Sequence, residues 1–310
     1  MHTRTSRVMR SIVAALGAAA LVAGCGDDDD DEATTKPATA APTPKAFNIT
    51  ATAQGKTKKA LEFPSTVRAG LVQMTLTNED TVPRSAQIIR VEGNHTVDEV
   101  LKIVNAEEAA KIPDWMQDGG GVAAVKPRDM GRAMHLLAPG KYVIWDDEGG
   151  MDEDAPGHAE LGAKGEFTVT GPAVDAQLPR QPKTVTATDL GEGDDKKYDF
   201  EFEGGLAAGK NDVRFENTGE ELHHALFFPI AKGKTFKDVE AAFTSGEEPQ
   251  GPPPVDFQNA VGTVVIDGDI AQNITLELKA GKYAVVCFIS DRDGGKSHAE
   301  KGMIEELTIE

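Results

Sequence analysis

Residues 281–309 contain Gly281-Lys282-Tyr283-Ala284-Val285-Val286-Cys287, a ten-residue loop, His298-Ala299-Glu300-Lys301-Gly302-Met303, and then Leu307-Thr308-Ile309. The first and last pieces are short apolar or alternating runs, which read as strands flanking a loop. The same order of residues occurs once before. Gly140-Lys141-Tyr142 precedes His158-Ala159-Glu160-Leu161-Gly162, and Phe167-Thr168-Val169 follows. Farther upstream, Asn78-Glu79-Asp80 matches Asn217-Thr218-Gly219. The offsets lie between 139 and 141, so one register with short insertions covers both halves. The chain therefore contains an internal repeat.

Working outward, the second copy holds eight short runs separated by Gly, Asn and Asp. They begin with Thr184–Thr188, include Ala225–Ile230, Thr263–Ile266 and Tyr283–Ile289, and end with Glu305–Ile309. That density of strands with turn signals predicts an all-β fold of two tandem Greek-key sandwiches. A helical apolar pattern interrupts each copy at the same place, over Val97–Ile112 and Lys237–Phe243. The expected divisions are a leader at 1–24, a tether at 25–45, one sandwich at 46–171, a Pro-containing linker at 172–182, and a second sandwich at 183–310.

The first residues read as an export signal. Arg4, Arg7 and Arg10 precede an alanine-rich apolar stretch from Ile12 to Val22, which is too short to span a bilayer comfortably. It runs into Leu21-Val22-Ala23-Gly24-Cys25, which resembles a lipobox, so Cys25 is the expected site of acylation and of anchorage to the lipid bilayer. An ordinary secretory signal that happens to contain a cysteine is the alternative. Asp27–Glu32 is a run of like charge and Ala33–Pro44 is rich in Ala, Thr and Pro, a composition that extends rather than packs. Loss of residues 1–24 would take the formal charge from −19 to −22. So acidic a chain has no electrostatic means of holding nucleic acid. The expected location is extracytoplasmic, at the membrane surface, with an unidentified redox or envelope protein as partner.

Two cysteines are present, and lipidation would consume Cys25. Cys287 is then a lone thiol in an oxidising compartment. Its companions are His223-His224, opening a separate strand, and His298 and Met303 beyond the loop. Two imidazoles, a thiolate and a thioether form the donor set of a blue-copper site. Here the sequence resembles the cupredoxin family of plastocyanin-like copper proteins, across both repeats. The resemblance implies one copper in the second sandwich, held by His223, Cys287, His298 and Met303, with His224 the alternative to His223. Strand side chains alternate, so His224 should face away from His223. The Cys287-to-His298 loop is longer than in typical members. Structural roles also fit these residues: Cys287 as a small core residue and Met303 as a gap filler.

The first copy serves as a control. Arg84-Ser85 stands where His223-His224 stands, Asp146 replaces Cys287, Ala163 replaces Met303, and only His158 is retained. That copy is expected to hold no copper. Its acidic loop, Asp146, Asp147, Glu148, Asp152, Glu153 and Asp154, lacks an EF-hand spacing and reads as solvated. No H-x-H pair of the copper oxidases occurs, and no G-x-S-x-G, so no enzyme is expected. Two readings remain: a copper protein for electron transfer or copper handling, and a metal-free binding module of the cell envelope.

Overall fold

A computed structural model describes residues 43–106, 110–149, 155–191, 196–245 and 251–310. The leader, the tether with Cys25, and Asp152, Glu153 and Asp154 lie outside the described residues. In the first copy the elements are β1 (Lys45–Gln54), β2 (Lys58–Glu62), β3 (Thr66–Arg68), β4 (Gly70–Asn78), β5 (Arg84–Val91), α1 (Val97–Val104), β6 (Met116–Val125), β7 (Met130–Leu137), β8 (Gly140–Trp145) and β9 (Lys164–Thr170). The second copy has β10 (Lys183–Leu190), β11 (Lys197–Glu203), β12 (Gly209–Asn217), β13 (Leu226–Pro229), α2 (Phe236–Thr244), β14 (Val261–Gly262), β15 (Ala271–Leu278), β16 (Gly281–Val286) and β17 (Ile304–Ile309). The fold is all-β, with one short α-helix in each copy among the described residues.

Alternation along the strands builds two cores. In β12, Asn211, Val213, Phe215 and Asn217 are buried while the residues between them are not. Phe47, Ile49, Leu76, Ile144 and Phe167 fill the first sandwich, and Val185, Phe215, Phe227, Leu276 and Val285 fill the second. In the second copy the chain passes from one sheet (β10, β11, β12) to the other (β13), back to β15, and over again to β16 and β17. Such crossing between packed sheets is Greek-key connectivity.

The sheets do not stop at the repeat boundary. β15 pairs antiparallel with β7 through Gln272↔His135, Asn273↔Met134 and Ile274↔Ala133, giving one eight-stranded sheet, β11-β10-β12-β15-β7-β4-β1-β2. Each copy closes with its own second sheet: β3-β9-β8-β5-β6 in the first and β14-β13-β16-β17 in the second. Residues 42–310 accordingly form one compact unit. Edge pairing of this kind covers a strand edge that would otherwise be left open.

Three local expectations need correction. Thr263–Ile266 is not a strand: only Val261–Gly262 pairs with β13, and the chain then turns toward the first copy. There the Gln87 amide accepts from the Val265 N–H at 2.9 Å and donates to the Val265 carbonyl at 2.9 Å. Gly119 lies against the same backbone with φ 80°, and a Cβ there would sit 2.8 Å from the Val265 carbonyl oxygen. The second correction concerns the helix expected over Val97–Ile112, which ends at Val104. Thr96 and Glu99 start it with a capping box, Asn105 caps its end, and Pro113 disfavours helical backbone at Ile112. Lastly, β13 opens at Leu226 rather than at His223, which is joined to Ile266 by an isolated bridge.

Candidate metal centre

Cys287 is the first residue after β16. Its N–H donates to the Met303 carbonyl at 3.3 Å, and its own carbonyl accepts from the Ala299 N–H at 2.8 Å. The ten-residue loop thus folds back on itself. Ser290 bridges Ser297, and the His298 N–H donates to the Ile289 carbonyl at 2.7 Å. His223 lies in the connection from β12 to β13, bridged to Ile266. Asn217 shapes the turn before it, donating to the Glu221 carbonyl at 2.6 Å and accepting from the Gly219 N–H at 2.9 Å. Asn78 makes the equivalent bonds to Val82 and Asp80, which explains why this asparagine recurs.

The three side chains converge. Cys287 Sγ lies 3.7 Å from His223 Nδ1 and 3.6 Å from His298 Nδ1, and the two Nδ1 atoms are 3.0 Å apart. All three residues are 0% exposed. Each imidazole presents its other nitrogen to a carboxylate: His223 Nε2 to Asp189 Oδ1 at 2.9 Å, and His298 Nε2 to Asp291 Oδ1 at 3.2 Å. A carboxylate at Nε2 places the proton there and leaves Nδ1 with a bare lone pair. Burial, together with neighbouring His223, pushes His298 down to about 3, so its ring is neutral. Burial pushes the Cys287 thiol up to about 12, so a metal must displace its proton.

These donors fit a metal ion. Two bare nitrogens 3.0 Å apart repel one another, and the single thiol proton can serve only one of them. A point equidistant from the three atoms lies about 2.0 Å from each, near the usual 2.0–2.3 Å of metal–imidazole and metal–thiolate bonds. Among the described residues this is the one group of three His, Cys, Asp or Glu side chains whose donor atoms so converge.

Met303 is 1% exposed and packs in the same core cluster as Cys287. Its N–H donates to the His298 carbonyl at 2.8 Å, so its backbone joins both ligand segments. His224 takes no part in the cluster. Its Nε2 accepts from the Phe288 N–H at 3.0 Å, and burial pushes its pKa down to about 3. The two adjacent histidines thus have different partners.

Sequence reading did not single out Asp189, Tyr198 or Asp291 as part of the site. Asp189 lies 34 residues before His223 on β10, with no spacing motif to connect them. Burial works against its charge, yet the bond from His223 and the N–H groups of Glu220 and Glu221 hold its carboxyl well below the usual range. Gly219 makes room for it, since a Cβ there would lie 2.1 Å from Asp189 Oδ1. Asp291 also accepts from the Tyr198 hydroxyl at 2.5 Å and pairs with Lys301. The Tyr198 ring stacks on His298 with centroids 3.8 Å apart.

In the first copy the corresponding positions form an ion-pair network. Arg84 Nε donates to Asp146 Oδ2, and Arg84 Nη1 lies 3.0 Å from Asp80 Oδ2. His158 Nδ1 lies 3.0 Å from Asp146 Oδ2, and the Ser85 hydroxyl donates to Asp146 Oδ1 at 2.9 Å. Arg84 is 0% exposed and Asp146 1%. The start of this acidic loop is therefore not solvated as expected: Asp146 turns inward because a fixed cation waits there.

No family model matches the sequence, and no curated protein does either. Among solved structures, the chain is similar to a copper nitrite reductase from Nitrosomonas europaea, at 16% identity over 86% of this chain and 94% of that one, with a TM-score of 0.25. It is also similar to a dithionite-reduced auracyanin from Roseiflexus castenholzii (20% identity, 42% of this chain, all of that one, TM-score 0.28). A third is auracyanin A, a blue copper protein from Chloroflexus aurantiacus, at 18% identity over 41% of this chain and all of that one, with a TM-score of 0.28. At these TM-scores the likenesses assign nothing to this chain by themselves.

Proposed function

We propose that the second sandwich is a cupredoxin-like domain that binds one copper through His223 Nδ1, Cys287 Sγ and His298 Nδ1, with the Met303 thioether as the weak fourth ligand. One observation carries this reading: three buried donors, two of them imidazole nitrogens left bare because carboxylates hold the ring protons at Nε2, point at a common centre. The donor set selects the metal. Thiolate and thioether favour Cu(I), imidazole serves both oxidation states, and first-row affinities peak at Cu(II). Bound copper would supply one-electron exchange. The protein's part is to hold the ligands still and keep water out, and the stacked Tyr198 and the two carboxylates serve that purpose.

The role that follows is electron transfer or copper handling rather than catalysis. The burial of every donor side chain supports this reading, since a site shielded from solvent suits electron exchange. We further propose that the chain works outside the cytoplasmic membrane, held there by acylated Cys25 and facing a redox partner in the envelope. Among the described residues no helix is long and apolar enough to cross a membrane.

The test is a copper titration of residues 42–310. Wild-type protein should take up one Cu(II) and show an intense visible thiolate-to-copper band. Cys287→Ser should abolish the band, and His224→Ala should keep it. Colourless protein that retains Cu(I) would indicate storage or delivery. The second reading, a metal-free envelope module, draws on the first sandwich, where an ion pair fills the equivalent place; wild-type protein that binds copper in neither state would establish it.

A further inference from the structure

The loop between Cys287 and His298 is longer than a ligand loop needs to be, and its middle is bonded to the other sandwich. The Ile112 N–H, ahead of β6, donates to the Arg292 carbonyl at 2.6 Å. The Arg292 guanidinium donates to the Met116 carbonyl at 3.2 Å and pairs with Asp267. Asp267 is itself tied to the first copy, since its N–H donates to the Asp118 carbonyl at 2.6 Å. Arg292 is thus gripped from both sandwiches.

Both imidazoles are a short path from that grip. Asp291, the preceding residue, accepts from His298. On the other side, the Arg292 N–H donates to Glu221 Oε2 at 2.6 Å, and the Glu221 N–H donates to Asp189 Oδ2 at 3.2 Å. Asp189 in turn accepts from His223. The two carboxylates that fix the imidazoles are therefore both connected to Arg292, beside their other partners.

We propose that Arg292 is a positioning residue for the metal centre, and that the first sandwich acts as a clamp holding the ligand loop of the second. This rests on the copper reading above. It gives the first sandwich, which carries an ion pair in place of a metal, a direct part in the site. It also accounts for the length of the loop, which must reach the neighbouring sandwich before returning with His298. The guanidinium's bonds are partly buried and reach a backbone carbonyl as well as a carboxylate, so they restrain position as well as charge. The nearby Lys111–Asp293 pair, exposed on both sides, is different: exposed pairs contribute little, and it supplies a control on the same loop.

The experiment compares the full chain with Arg292→Ala, Arg292→Lys and Lys111→Ala, each checked for folding by circular dichroism. Copper affinity is measured by competition with a chelator, the visible band is recorded, and amide hydrogen exchange is followed in metal-free protein. Arg292→Ala should lower copper affinity about 10-fold or more and shift the band, as loss of a ligand's supporting bond does. It should also speed exchange of the His298 and Ala299 amides, which close the loop. Arg292→Lys, which keeps the charge but not the fork, should fall between, and it decides the matter if the alanine variant does not fold. Lys111→Ala should match wild type. Unchanged affinity, band and exchange in the Arg292 variants would overturn the clamp. If wild-type protein takes up no copper, the functional reading fails, and exchange in the metal-free chain still decides whether the first sandwich holds the loop.

Discussion

His223, Cys287 and His298 in one sandwich face Arg84, Asp146 and His158 in the other, and the exchange is one of charge as well as shape. Where the second copy gathers bare lone pairs, the first places a guanidinium among carboxylates, a permanent cation bound by covalent bonds to the chain. Removing it would take from Asp146 its permanent cation and leave it the His158 ring and Ser85, while Asp80 keeps Lys59 at 2.6 Å. Breaking a buried pair from one side costs about 3–5 kcal/mol, because the remaining charge is left uncompensated. Arg84→Met should therefore lower the stability of the full chain by that order in chemical denaturation, while copper uptake stays at one per chain. A second copper in the wild type would contradict the assignment. The second copy carries its own signature. His298 is neutral and the Cys287 thiol is protonated before metal binds, so copper uptake near pH 7 should release about one proton, read by calorimetry in buffers of different ionisation enthalpy. Release near zero would mean that the sulfur is not a ligand.

Among the elements, the segment that follows β8 shows how burial couples to pH. Burial and the neighbouring Asp147 and Asp146 push Glu148 up to about 7 from its ordinary 4.5. The folded chain then holds a proton that the unfolded chain releases, so this residue's stabilising effect is complete below about pH 4.5 and is lost as pH rises through 7. Glu148→Gln should flatten that slope and raise stability at pH 8 by on the order of 1 kcal/mol, discounted for solvent screening. Denaturation midpoints at pH 5.5 and pH 8 would show it, and equal slopes in the two proteins would refute it. How far such elements could be read from the sequence depended on the range of the physics. β12 and β16 declare themselves through alternation and apolar runs, and the order His, Cys, His, Met marked the candidate ligands. Thr263–Ile266 has a strand's composition, but Gln87 of the other copy claims the Val265 backbone. Asp189 and Tyr198 sit on strands whose local pattern says only that one side is buried; their place beside the imidazoles comes from packing the sheets.

On the scale of the whole molecule, the joined sheet changes what the repeat means. The eleven-residue Pro-containing connection suggests limited freedom but leaves the packing of the two sandwiches open; β7 and β15 merge them, and the Asn273 amide donates to the Pro179 carbonyl of the connection itself at 2.7 Å. Nothing in a strand's own alternation reveals which neighbour its edge will find. The pairing covers only three residue pairs, so it needs help from the opposite sheets. Gln87 gives that help: it is 3% exposed and uses one amide to serve both the N–H and the carbonyl of Val265. Gln87→Leu keeps the volume and removes both bonds; the Val265 carbonyl keeps the Gly120 N–H at 2.9 Å, and the Val265 N–H loses its partner. A cost of about 1–3 kcal/mol for each stranded group is general. Because the penalty falls on contacts between sandwiches and spares each core, it should weaken cooperativity more than either fold. Calorimetry should show one transition in the wild type and two in Gln87→Leu, with the metal-bearing sandwich, distinguished by its visible band, melting separately. A single transition merely shifted to lower temperature would place Gln87 in the stability of the first sandwich alone, and the junction would then rest on the β7–β15 pairing and the Arg292 loop.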